Sequence, residues 1–154
     1  MSPYLCITEA LEFRGRLGGE AQVQQYCFGL ARRGGKLMAE VLNTEVMDNK
    51  SSTLSECCFA MVRLPVQFVS QQQPRSETAR DGVFDTKDGP KIVKWIMTTL
   101  KDKHNTWKPA NFYCGAIWVR VSAQVYLDIQ DFEWAARVLK ELCRQAQDGR
   151  SLHL

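Results

Sequence analysis

One long amphipathic segment constrains the fold of this chain more than any other feature. Residues 20–42, EAQVQQYCFGLARRGGKLMAEVL, repeat apolar side chains every three or four positions, which is the spacing of one helix face. A helix of this length would be about 34 Å long, close to the diameter of a small domain, so the other elements must pack along it. Gly34 and Gly35 interrupt its middle. Because glycine weakens a helix interior, we expect a bend or a close contact there.

Shorter patterns predict the remaining elements. Apolar spacing and Gly18-Gly19 predict a helix over 7–17, and β-branched and aromatic residues predict a strand over 58–64 that ends before Pro65. The polar stretch 68–88 is predicted to be a long loop. Further helices are predicted over 90–103 and 128–147, and strands over 110–114 and 116–122.

The last helix carries a clear start signal. Asp128 is the predicted N-cap, and Asp131, three residues further on, completes a variant of the capping box. The resulting element order is α-α-β-α-β-β-α. This order predicts an α+β fold in which amphipathic helices pack on a small antiparallel or mixed sheet.

Composition excludes several classes of protein. The 154 residues are 45% hydrophobic and 24% charged, with a net charge of +3, which is typical of a globular domain and gives no reason to expect nucleic acid as a partner. No apolar run approaches the roughly 20 residues that span a bilayer, so no membrane partner is expected. The start, MSPYLCITEALEF, lacks the features of a signal peptide, and a cytoplasmic location is expected.

The cysteines and histidines show no metal-binding pattern. Six cysteines are scattered along the chain without a CxxC pair, so we expect reduced structural thiols and no metal. His104 and His153 stand apart in polar surroundings. A thiol-based redox or metal protein is the weakest of the hypotheses considered.

Arg120 is the candidate binding residue. It interrupts the apolar strand WVRVSAQVY between Val119 and Val121, so its side chain should point to the face opposite theirs. A guanidinium in that position can grip a carboxylate through two parallel hydrogen bonds. Two other interpretations remain open: pairing with a nearby acid, or a solvated face.

The strand and the helix after it resemble the C-terminal part of the class V aminotransferase family. The stretch FYCGAIWVRVSAQVYLDIQDFEWAARVL is similar to that family's apolar strand with Arg-x-Ser, a tyrosine and an acidic helix start. The resemblance extends back through the 20–42 segment with its preceding Gly-Gly-Glu turn. It is strongest toward members of the hercynylcysteine sulfoxide lyase and isopenicillin N epimerase type.

The resemblance implies a pyridoxal-phosphate enzyme that acts on an amino acid, with Arg120 binding the substrate's α-carboxylate. Carbon–sulfur lyase, epimerase and aminotransferase chemistries all remain open. The family's cofactor lysine lies in a large domain, and none of Lys36, Lys91, Lys94 or Lys108 has a matching context. No catalytic, cofactor-binding or metal residue is therefore assigned to this chain.

The same resemblance implies that the chain is a fragment. Residues 1–19 would be the remnant of a large-domain helix, and 20–154 the small C-terminal domain with its linking helix at 20–42. We expect pyridoxal phosphate and a homodimer in the intact parent, and no cofactor or activity in this chain alone. Desulfurases of the family use a loop cysteine, but the context of Cys114 predicts a strand, so Cys114 is not expected to be catalytic.

A non-catalytic product is the alternative. A truncated paralogue or a small interaction domain would leave apolar positions of the first helix, Leu11 and Phe13 among them, exposed to solvent. Such exposure would favour association with another protein.

Overall fold

The computed structural model describes residues 3–69 and 82–150. Its α-helices are α1 (Ile7–Arg16), α2 (Glu20–Leu42), α3 (Gly89–His104) and α4 (Ile129–Gln145). Its strands are β1 (Phe59–Arg63), β2 (Gln67–Val69), β3 (Val83–Asp85), β4 (Ala110–Tyr113) and β5 (Ala116–Ser122). The predicted α+β class is confirmed, and every predicted helix and strand is present in the predicted order. Two short strands, β2 and β3, were not predicted.

The main sheet has three antiparallel strands in the order β1-β5-β4. In the central strand, Ile117, Val119 and Val121 alternate with more exposed residues and are almost completely buried, as expected for a sheet with one face on the core. Val62 of β1 lies opposite Val119. The core therefore lies on one face of the sheet.

The predicted loop over 68–88 is wrong at both ends. β2 and β3 pair in parallel, with Phe68 opposite Phe84. Phe84 is buried, and the Phe68 ring lies 4.8 Å from the Phe112 ring, centroid to centroid, in an edge-on arrangement. The two ends of this stretch are therefore strands because Phe68 and Phe84 pack onto the core, although the charges between them indicate a loop. The middle of the predicted loop, 70–81, lies outside the described residues.

The glycine pair in α2 marks the closest packing in the domain. Gly34 contacts the Phe132 ring of α4, and a Cβ on Gly35 would lie only 2.7 Å from the Cβ of Ala60 in β1. Both neighbours could not approach so closely if these positions carried side chains. The expected close contact at Gly34-Gly35 is therefore confirmed, and α2 packs against both α4 and β1.

The N-terminus of α4 has the predicted capping box. The Asp128 carboxylate accepts hydrogen bonds from the backbone N–H groups of Gln130 (2.8 Å) and Asp131 (3.4 Å), and the Asp131 carboxylate accepts one from the Asp128 N–H (2.8 Å). These bonds satisfy donors that the first turn of a helix leaves unpaired. They fix the residue at which α4 begins after β5.

Helix α1 projects from the rest of the domain. None of its residues is buried, and Ile7, Leu11 and Phe13 are each at least half exposed. It is joined to α2 by a two-bond ion pair, in which the Arg14 guanidinium donates to the two carboxylate oxygens of Glu20 at 2.6 and 2.8 Å. Within the described ranges, no helix is long and apolar enough to cross a bilayer.

Candidate functional site

Arg120 lies on the face of the sheet that points away from the helices. Its neighbours in β5, Val119 and Val121, are buried, whereas Arg120 is exposed. The predicted opposition of these side chains is therefore confirmed. The side chain makes no hydrogen bond or ion pair with any described residue, so pairing with an acid, one of the two other interpretations, is not seen in that part of the chain. Arg120 instead lies on a solvent-exposed face, which is the second of those interpretations.

Alternation along the strands places several other side chains on this face. Met61 lies opposite Arg120, and Phe59 lies opposite Ser122, in the β1–β5 pairing. Trp118 precedes Arg120 by two residues in β5. Together with Arg120, these residues form what we call the Arg120 face.

The Phe59 ring supports the guanidinium. The central carbon of the Arg120 guanidinium lies 5.9 Å from the centroid of the Phe59 ring, within the range of a cation–π contact. At an exposed site such a contact is worth about 0.5–1 kcal/mol. It limits the directions that the arginine samples and leaves its N–H groups free to bind an anion.

Trp118 adds a polar group that sequence reasoning missed. Its side chain is half-buried, and its indole Nε1 is buried without a hydrogen-bond partner among the described residues. A buried donor left unpaired costs about 1–3 kcal/mol. Strand alternation could have predicted the position of Trp118, because the alternation that places Arg120 on this face also places Trp118 there.

Cys114 is not in a strand, contrary to the prediction. It forms a two-residue turn between β4 and β5 with Gly115, and the φ angles are 48° and 74°. Hairpin turns of this length require such left-handed angles, and the glycine was the signal for them. The thiol is exposed, and its interaction with the neighbouring Tyr113 hydroxyl raises the pKa of Tyr113. An exposed thiol in a turn is not by itself a catalytic site.

The other five cysteines fall into three groups, of which one, Cys57 and Cys58, is half-buried. Cys27 and Cys143 are buried, and burial raises the pKa of Cys143 to about 12, as expected of structural thiols. Cys6, like Cys114, is exposed, so the expectation that all six are structural is wrong for these two. Among the described residues, no three His, Cys, Asp or Glu side chains come together as a metal site.

None of Lys36, Lys91, Lys94 and Lys108 belongs to the Arg120 face as defined above. Lys36, Lys91 and Lys94 are exposed on α2 and α3. Lys108 is half-buried, and burial lowers its pKa against the opposing effect of the Asp131 carboxylate. Asp131 belongs to the capping box of α4.

Comparison with known proteins shows relatives over nearly the whole chain, although no family model matches it. Two L-cysteine desulfhydrase-like proteins of Epichloe uncinata are 35% and 34% identical to it over 150 residues, 93% of this chain but 32% and 33% of theirs. The hercynylcysteine sulfoxide lyase of Schizosaccharomyces pombe is 28% identical over 140 residues, 91% of this chain and 29% of its own length.

The chain thus spans about a third of the length of the curated relatives it matches. Its similarity to proteins of the hercynylcysteine sulfoxide lyase type, predicted from the sequence, is confirmed.

Proposed function

We propose that this chain is the small C-terminal domain of a pyridoxal-phosphate enzyme of the class V aminotransferase type that acts on an amino acid. Carbon–sulfur bond cleavage is the favoured chemistry, because the relatives are named as a desulfhydrase-like pair and a sulfoxide lyase. Epimerase and aminotransferase chemistry are the other members of this class. In this assignment residues 20–154 are the small domain and 1–19 a remnant of a large-domain helix.

The exposed, unpaired guanidinium of Arg120 is the observation that carries the proposal. It is supported by the Phe59 ring at 5.9 Å and has no acid partner among the described residues. A guanidinium with free N–H groups can bind both oxygens of a carboxylate, which gives orientation as well as affinity. Its role in the parent enzyme would be to bind and orient the substrate's α-carboxylate.

The described residues do not fit a pyridoxal-phosphate site on their own. A lysine that forms a Schiff base needs an amine that is desolvated or otherwise activated, and Lys36, Lys91 and Lys94 are exposed. Lys108 is partly desolvated, but the charge that acts on it is Asp131 in the capping box of α4. We therefore assign the cofactor to the remainder of the parent enzyme, which we expect to be a homodimer.

A chimera tests the proposal. This chain would replace the matching third of an Epichloe uncinata L-cysteine desulfhydrase-like protein, and sulfide release from L-cysteine would be measured. We expect an active chimera, in which Arg120→Ala lowers kcat/KM at least about 30-fold, the loss expected for charge-assisted hydrogen bonds worth about 2 kcal/mol. Arg120→Lys should retain part of the activity because lysine keeps the charge but not the fork.

The matched control is Arg137→Ala. Arg137 is exposed on α4 and pairs with Glu133 at 3.3 Å, away from the Arg120 face. This change should leave kcat/KM within about twofold, since exposed ion pairs contribute at most about 1 kcal/mol to stability. A folded chimera without activity, or an Arg120→Ala chimera with undiminished activity, would contradict the proposal.

The second candidate function is a non-catalytic interaction domain. Helix α1 supports it, because Leu11 is 64% and Phe13 51% exposed, and an uncovered apolar helix favours association. Size-exclusion chromatography with light scattering separates the two candidates. Association of the chain through α1 would favour the interaction domain, and a stable monomer would contradict it.

A further inference from the structure

A cleft beside β1 shares Phe59 with the Arg120 face but none of that face's other residues. It has a volume of about 410 Å³ and lies between α2 and the connection from α2 to β1. This volume falls within the range of small-molecule sites. Arg120 does not line it, but Phe59 belongs to both places, as the ring beneath the Arg120 guanidinium and as a wall of the cleft.

The two sides of the cleft carry opposite charges. Arg32 and Lys36, one turn apart on α2, supply the positive side, and Asp48 and Glu56 in the connection supply the negative side. None of these four groups makes an ion pair with a described residue, so the two sides stand farther apart than ion-pair contact. The lining is therefore neutral in sum but strongly dipolar.

The negative side is held in place by hydrogen bonds within the connection. The Asn49 side-chain amide donates to the Thr53 hydroxyl at 2.7 Å and accepts from the Thr53 backbone N–H at 2.8 Å, and the Asp48 carboxylate accepts a bond from the Asn49 N–H at 2.9 Å. The Ser55 hydroxyl donates to the Ser52 carbonyl at 3.0 Å. A connection fixed in this way loses little further freedom when it binds a ligand, which favours affinity.

The Arg32–Lys36 pair is also unfavourable without a ligand. Like charges at positions i and i+4 of a helix repel each other by a few tenths of a kcal/mol, and neither cation is neutralised by a described acid. An anionic group between them would remove that repulsion. A cationic group would do the same for the carboxylates across the cleft.

We propose that this cleft binds a linear zwitterion, with its carboxylate at Arg32 and Lys36, its ammonium group at Asp48 and Glu56, and its apolar chain along Phe59. A compact α-amino acid carries its two charges on neighbouring carbons and fills only part of a cleft of about 410 Å³. An ω-amino acid or the two termini of a short peptide can reach both sides. The site does not depend on Arg120 and is therefore independent of the proposed function.

The test uses the full chain and 6-aminohexanoate as the probe, with affinity measured by NMR chemical-shift titration. Hexanoate and hexylamine each carry one of its two charges, and glycine carries both without the length. We expect each of these three to bind at least about tenfold more weakly than 6-aminohexanoate. Triglycine, a peptide of similar length, shows whether the site also accepts peptide termini.

Variants identify the two sides of the site. Arg32→Ala and Lys36→Ala should each weaken the binding of 6-aminohexanoate at least fivefold without changing the affinity for hexylamine. Glu56→Gln should also weaken the binding of 6-aminohexanoate, but without changing the affinity for hexanoate. Arg33→Ala is the matched control, because Arg33 is exposed beside Arg32 on α2 but does not line the cleft. Arg120→Ala should leave binding unchanged, which separates this site from the proposed carboxylate site.

Several results would overturn the proposal. They are absence of 6-aminohexanoate binding, equal affinity for all probes, or an Arg33→Ala variant that weakens binding as much as Arg32→Ala. The amide spectrum of each variant reports its folding. If an alanine variant is unfolded, Lys36→Gln replaces it, because it removes the charge and keeps most of the side chain.

Discussion

An alanine at Gly34 should destabilise the domain, whereas an alanine at Gly29 in the same helix should stabilise it. An ideal Cβ on Gly34 would lie 2.5 Å from Cγ and 2.6 Å from Cε1 of the Phe132 ring, but a Cβ on Gly29 would meet nothing within 4 Å. Overpacking of this kind costs about 1–3 kcal/mol. Both substitutions gain about 1 kcal/mol of helix propensity, so this gain cancels in the difference between them.

The free energy of unfolding of Gly34→Ala should therefore lie about 1–3 kcal/mol below that of Gly29→Ala. Urea titration followed by circular dichroism measures both values, and the slope m should be unchanged. In a Phe132→Ala background the ring is absent, so Gly34→Ala should no longer destabilise, with a coupling energy of similar size. Equal stability of the two single variants would refute the close packing of α2 on α4.

Three further predictions concern the cap, a buried thiol and the α1 junction. Asp128→Ala should lower the free energy of unfolding by about 1 kcal/mol in a urea titration, and no loss would contradict a working cap. Burial raises the pKa of Cys143 to about 12, so the folded state favours the protonated thiol. The resulting stabilisation is fully present below the thiol's unfolded pKa of about 8.5 and is lost as pH rises toward 12, by up to about 1.4 kcal/mol per pH unit. Cys143→Ala should reduce this dependence of the free energy of unfolding on pH. Arg14 lowers the pKa of Glu20 through their hydrogen bonds, so the attraction between the two side chains is lost as pH falls through that lowered pKa. Glu20→Gln at neutral pH should therefore speed amide hydrogen exchange in residues 7–16. Unchanged exchange would show that the ion pair does not hold α1 against α2.

Much of the fold follows from local sequence signals. The apolar spacing in 20–42 predicts the observed bounds of α2, Glu20–Leu42, because a strong helical period of this length has few competing structures. The Asp128 capping box and Gly115 likewise mark a helix start and a hairpin turn through their own backbone chemistry. Such signals need no knowledge of the neighbouring elements.

The features that sequence reasoning missed depend on residues far apart in the chain. β2 and β3 have three residues each, too few to show alternation, and their pairing becomes favourable only when Phe68 and Phe84 reach the core. The dipolar cleft combines α2 with residues 46–60. No local pattern shows that these charges face each other without pairing.

The site was predicted only in part. Strand alternation was enough to place Arg120 on the face opposite Val119 and Val121. It did not reveal that Phe59 lies beneath the guanidinium, because the register between β1 and β5 is set by tertiary packing. It also did not reveal the unpaired indole N–H of Trp118, which depends on what surrounds that side chain.

Inhibition of the chimera by a matched pair of ligands tests the central claim, that Arg120 binds a substrate carboxylate, most directly. L-Alanine carries an α-carboxylate and ethylamine is the same molecule without it, and their inhibition constants against L-cysteine would be measured with Arg120 and with Arg120→Ala. We predict that L-alanine binds at least about 30-fold more tightly than ethylamine to the unmodified chimera, and that Arg120→Ala reduces this preference to within a few-fold. An undiminished preference in Arg120→Ala would contradict the carboxylate-binding role of Arg120.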